Sequence, residues 1–184
     1  MKKTIFYFIV VLQIGCILPK KILPEDLSKS IITWPLFIEE VTVVDKRKDL
    51  KSMDWDVKTL TLKNQTYEGN PELSSEHIAA ITQIFKNAST SDASPAKVTF
   101  YLETGDCIMK HHFKEQSSFT KVRGSVVIDI YSRESKYKGF AELQYTYNHP
   151  SVTKGHILEM YLLNIKNVSY NILQLIKKEL ENSN

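Results

Sequence analysis

Two cysteines hold most of the chemistry available to this 184-residue chain. Cys16 follows Gln13-Ile14-Gly15 at the end of an apolar run. A small residue directly before such a cysteine is the layout of a lipobox, whose peptidase has a tight pocket. On that reading Cys16 becomes the lipid-modified first residue of the mature chain. Gln13 stands where leucine is usual, and cleavage near Gly15 by a conventional peptidase is the other outcome. Cys107 heads the sequence Cys107-x3-His111-His112, the one cluster with metal-ligand chemistry. On a strand, alternation puts Cys107 and His111 on one face and His112 on the other. Two donors from one strand do not complete a four-ligand zinc site, so His77, His149 or Asp106 would have to be brought in by the fold. A nucleophilic Cys107 needs a histidine and an orienting carboxylate. No G-x-S-x-G, H-E-x-x-H or glycine-rich phosphate loop accompanies it. The expectation is therefore no catalytic residue, no metal and no cofactor. Asp45-Lys46-Arg47-Lys48-Asp49 is a mixed charge run in which Asp45 and Arg47 can pin a loop to the end of a strand.

Cys16 belongs to a leader. Lys2 and Lys3 form a positive n-region and residues 5–12 an unbroken apolar h-region, the build of a secretory signal. Eight apolar residues fall far short of the ~20 that span a bilayer. If Cys16 is lipidated or removed, Cys107 has no partner in the chain, which excludes a disulfide framework. The formal charge is +3; losing Lys2 and Lys3 from 24 basic residues, against 21 acidic, leaves +1. A near-neutral domain has no long-range field to gather nucleic acid, so no nucleic-acid partner is expected.

Behind the leader the chain divides into a proline-interrupted tether over 17–37 and a single domain over 38–184. Pro19, Pro24 and Pro35 block a stable helix in the tether. Its apolar end, Ile31 to Phe37, lies against the domain or begins the first strand. Strands are predicted over 38–44, 58–62, 97–103, 107–113, 121–131 and 138–147 from alternation and β-formers. Turns are predicted at Gly69-Asn70-Pro71, within 64–71, and at Thr104-Gly105-Asp106. In the last two strands Val122, Gly124, Val126, Ile128 and Ile130 share one face, as do Ala141, Leu143, Tyr145 and Tyr147. They form a long hairpin whose register follows burial. Ser74 caps a first helix with the stripe Ile78, Ile81, Ile84, Phe85 and Ala88, and Leu73 staples to Ile78. A closing helix over 153–181 carries the stripe Ile157, Tyr161, Ile165, Val168, Ile172, Leu175 and Ile176. The fold class is α+β: an antiparallel sheet of four to six strands with two helices packed on one face.

A second apolar set on the last helix, Leu158, Leu162, Leu173 and Leu180, widens its stripe beyond what one sheet face needs and is a candidate partner surface. Tyr131, Tyr137, Phe140, Tyr145 and Tyr147 either pack across the hairpin or line a groove between sheet and helix. Of three Asn-x-Ser/Thr sequons, at Asn64, Asn87 and Asn167, the last falls inside the predicted closing helix.

The leader ending in Gly15-Cys16, the segment Val44-Asp45-Lys46-Arg47, the helix 75–86, the hairpin VRGSVVIDIYSRESKYKGFAELQYTY and the closing helix, in that order, resemble small bacterial envelope lipoproteins of the YajG type. In overall plan the chain is also similar to the lipoprotein that plugs the lipopolysaccharide translocon. The resemblance implies a domain attached to the outer membrane. The reading that follows from the leader and this likeness is a lipoprotein anchored through Cys16, with a periplasm-facing domain that binds an envelope protein. It supplies no catalytic residues. The alternative is a soluble periplasmic or secreted carrier of an apolar ligand held between sheet and helices.

Overall fold

The computed structural model describes residues 23–55, 64–111, 116–131, 136–148 and 153–182. The leader with Cys16, the strand expected over 58–62, His112, and the side chains of Tyr137 and Tyr147 lie outside that description. After a 3-10 turn at Leu27–Lys29 the described elements run β1 (Leu36–Asp45), β2 (Gln65–Gly69), α1 (Ser75–Asn87), β3 (Ser94–His111), β4 (Gln116–Ile130), β5 (Lys136–Asn148) and α2 (Lys154–Asn182). They make an α+β fold. The strand order is β1-β3-β4-β5, with β2 also on β3. One feature departs from the expected antiparallel sheet: β1 runs parallel to β3. A parallel pair needs a long crossover, and the chain between them, which includes α1, supplies it.

β3 is the spine of the sheet, and it corrects the turn expected at Thr104-Gly105-Asp106. The strand continues through these residues as a β-bulge, with its register against β4 shifting between Leu102 and Thr104. Buried positions pass from Ala96, Val98, Phe100 and Leu102 to Gly105, Cys107, Met109 and His111. The extra residue keeps one face buried along all 18 residues; under strict alternation Cys107 would point out. The two strands expected over 97–103 and 107–113 are thus one. A second bulge, between Ile38 and Glu40, does the same in β1. The turn cluster Gly69-Asn70-Pro71 ends a strand that the sequence pattern does not show, β2, which pairs with the far half of β3. So short a strand shows little periodicity of its own, and pairing with an existing edge decides its state.

Helix α1 starts where its cap predicts. Ser74 Oγ accepts from the His77 N–H at 3.4 Å, and His77 Nδ1 accepts from the Ser74 N–H at 3.0 Å. The buried stripe is His77, Ile81 and Phe85, while Ile78 is 41% exposed, so the expected stripe is rotated by one residue. At 29 residues and 1.5 Å each, α2 is ~44 Å long. Both helices cover one face of the sheet. Phe100 of β3 packs on Phe85 of α1, and Val168 of α2 lies over Gly124 of β4. The other face carries exposed ion pairs: Lys97–Glu40, Arg123–Glu103 and Lys121–Glu142.

From residue 23 onward the segment expected as a tether lies on the domain. A strap, residues 23–35, crosses the outside of α2 and enters between the helices. Asn167 Oδ1 accepts from the Leu27 N–H at 2.9 Å, and Asn167 Nδ2 donates to the Glu25 carbonyl at 2.8 Å. Trp34, 1% exposed, ends the strap against Phe85 and donates its indole N–H to the Leu173 carbonyl at 3.1 Å.

Candidate functional site

The densest polar constellation is centred on Arg47, whose side chain is 2% exposed. Its Nε–H donates to Asp45 Oδ1 at 2.8 Å and Nη2 to Asp45 Oδ2 at 2.6 Å, a bidentate pair two residues apart. Nη2 also donates to the Pro71 carbonyl at 2.8 Å, and Nη1 to Tyr161 Oη at 3.0 Å and to Asn70 Oδ1. A guanidinium has five N–H donors, and these five acceptors use them all. The β3 bulge makes the room: a Cβ on Gly105 would come within 2.6 Å of Arg47 Nη1. Burial alone would raise the Asp45 carboxyl, but the hydrogen bonds and charge of Arg47 outweigh it and hold it below its ordinary value. With no donor left over, the cluster ties the end of β1, the turn after β2 and α2 together. The lock inferred from Asp45 and Arg47 exists, and it also takes in Asn70, Pro71 and Tyr161.

Cys107 lies beside this cluster, fully buried. Burial, helped by the Asp106 carboxylate and opposed by Arg47, pushes its thiol up to about 12. It is therefore a thiol, not a nucleophilic thiolate, at neutral pH. His111 shares its face and is 3% exposed. Neither His111 ring nitrogen has a hydrogen-bond partner among the described residues. No group of three or more His, Cys, Asp or Glu able to hold a metal occurs among the described residues.

Two grooves lie on the helical side. A groove of about 490 Å³ runs between strap and helices, lined by Ser28, Lys29, Ile31 and Ile32, by Ile84, Asn87 and Ala88 of α1, and by Tyr170 and Leu173 of α2. A second, of about 410 Å³, shares Ser28, Lys29, Ile84 and Asn87 with it and continues past Asp26 and Lys166 to Leu162. Nothing in the sequence marks this place, because it exists only once the strap lies across two helices. Of the four leucines read as a partner surface, Leu173 lines the first groove and Leu162 the second. Leu158 is half-buried against the core, and Leu173 and Leu180 are 1% and 3% exposed within it. The extra apolar width of α2 is taken up by the strap and α1 as well as by the sheet. Tyr131 and Phe140 are exposed, beneath Lys97 and Arg123 respectively, while the Tyr145 hydroxyl accepts from Asn167 Nδ2 at 2.6 Å. The layer between sheet and helices is filled by Phe85, Phe100, Ile128, Tyr161 and Ile165. Asn167, the sequon residue in α2, is fully buried.

Comparison with family models, with curated proteins and with solved structures finds no match to this chain.

Proposed function

We propose that this protein is a non-catalytic lipoprotein of the cell envelope. In this reading Cys16 carries the lipid, the outer membrane holds it, and the α+β domain faces the periplasm and binds an envelope protein. The observation that carries the reading is the leader: Lys2 and Lys3, the apolar run 5–12, then Gly15-Cys16. Ile17 after the cysteine is not an acidic retention residue, which favours the outer membrane. Two features of the domain agree with a non-catalytic role: the buried, protonated Cys107 and an Arg47 whose donors are all used internally. No helix among the described residues is long and apolar enough to cross a membrane, so attachment in this reading rests on the lipid.

The test is mass spectrometry of the mature amino terminus together with fractionation of cells. An acylated Cys16 and a salt-resistant membrane fraction are expected, and Cys16→Ser should release the protein from that fraction. A mature chain without an acyl group, released by salt, overturns the reading. The groove of about 490 Å³ supports one alternative, a soluble carrier, since ligand pockets are commonly ~300–1,000 Å³. Native mass spectrometry showing a co-purified apolar molecule would favour it.

A further inference from the structure

We propose that β5 is a self-complementary edge through which two copies of this chain join into one continuous sheet, antiparallel about Phe140. Among the described residues β5 pairs with β4 alone, which leaves the outer row of backbone N–H and C=O groups along its 13 residues without a strand partner. Such an edge invites pairing unless it is blunted, commonly by lysines that repel a second edge. Here Lys138 is matched by Glu142 four residues on, both exposed.

A two-fold axis normal to the sheet at Phe140 sets Phe140 opposite the partner's Phe140. It also sets Lys138 opposite the partner's Glu142, and Gly139 opposite the partner's Ala141. All helices then stay on one side. Centring instead on Glu142 or on Lys138 opposes like charges, which is destabilising in directly facing pairs. The Phe140 ring, 61% exposed with Arg123 at 5.4 Å, gains an aromatic neighbour on the open face. Glu142 already bonds Lys121 at 3.0 Å and would accept a second cation.

On the helical side Asn164 Nδ2 donates to the carbonyls of Thr120 in β4 and Leu143 in β5, both at 3.1 Å, and Ile172 and Ile176 lie over Gly139 of β5. Helix α2 thus covers the inner face up to this edge, and the pairing is carried by the strand edge and the open-face side chains.

The experiment is crosslinking in cells that make the full chain. Residues facing each other across an antiparallel pair have Cα atoms ~4.5–5.5 Å apart, within disulfide reach. Phe140→Cys should therefore give an oxidised dimer, while Tyr131→Cys, at a site 53% exposed on the neighbouring strand end, should not. Added to Phe140→Cys, Lys138→Glu or Glu142→Lys alone should weaken pairing on the order of tenfold, because the symmetry reverses two ion pairs at once. Co-expressing these two charge variants should restore a mixed dimer, and combining both changes in one chain should restore the homodimer, which shows that the variants fold. A monomeric Phe140→Cys protein, equal crosslinking through Tyr131→Cys, or a dimer indifferent to charge reversal would each overturn the proposal.

Discussion

Arg47 has its five donors consumed by four residues from three parts of the chain. Replacing it by alanine leaves the Asp45 carboxylate, 23% exposed, without its cation, and Tyr161 and the Pro71 carbonyl without a donor. Removing one partner of such a pair costs about 3–5 kcal/mol. Arg47→Ala should therefore lower the unfolding free energy by that much, read as a lower urea midpoint at an unchanged slope, and Arg47→Lys, which keeps the charge and loses the fork, should cost less. The Asp45–Arg47 part of this cluster is legible in the sequence because the two residues are neighbours at a strand end. Asn70 and Tyr161 are 23 and 114 positions from Arg47, and no local pattern connects them.

His77 makes the second prediction at this scale. Burial first, and then the Arg47 charge, hold its pKa below the ordinary 6.5, while Glu76 opposes them. The unfolded chain thus binds a proton that the native state resists, and stability rises with pH through this window. His77 should contribute its full share above about 6.5 and lose it as the pH falls below that value. Protonation would also remove the Nδ1 lone pair that accepts from the Ser74 N–H. Urea midpoints should decline between pH 7.5 and 5.5, and His77→Gln should flatten that decline. An unchanged decline in His77→Gln would show that other groups cause it.

Among the elements, the strap shows most about what a sequence pattern conceals. Its prolines signal an extended segment, yet it makes a 3-10 turn at Leu27–Lys29, and Asn167 and Trp34 fasten it across α2. Asn167→Ala leaves the Leu27 N–H, the Glu25 carbonyl and the Tyr145 hydroxyl each short of a partner, at a cost of about 1–3 kcal/mol for the buried groups. Amide exchange should quicken across 23–30 in this variant and stay unchanged in β3 and β4. Trp34→Ala empties a larger core site and should destabilise the whole domain by about 3–5 kcal/mol. Helices α1 and α2 and the β4–β5 hairpin are readable because each has 13 or more residues of unbroken period. The β3 bulge reads as a turn because Thr-Gly-Asp is turn chemistry, and only pairing with β4, between stretches held by β1 and β2 on the other side, keeps those residues extended.

For the molecule as a whole, helices and strap form one face and the charged sheet the other. Under the lipoprotein reading, Leu23, the first described residue of the strap, lies seven positions after Cys16, a reach of at most ~25 Å. By itself the sequence determined the leader pattern, the α+β class, the two helices, the buried face of the hairpin and the Asp45–Arg47 pair. Each is written in local order, as a period, a cap, or two charges at neighbouring positions. Only the tertiary structure decided the parallel β1–β3 pairing, the bulge that turns Cys107 inward, the saturation of Arg47, and the groove beneath the strap. These depend on which distant segments meet, and one extra residue in a strand reverses the face of every side chain after it.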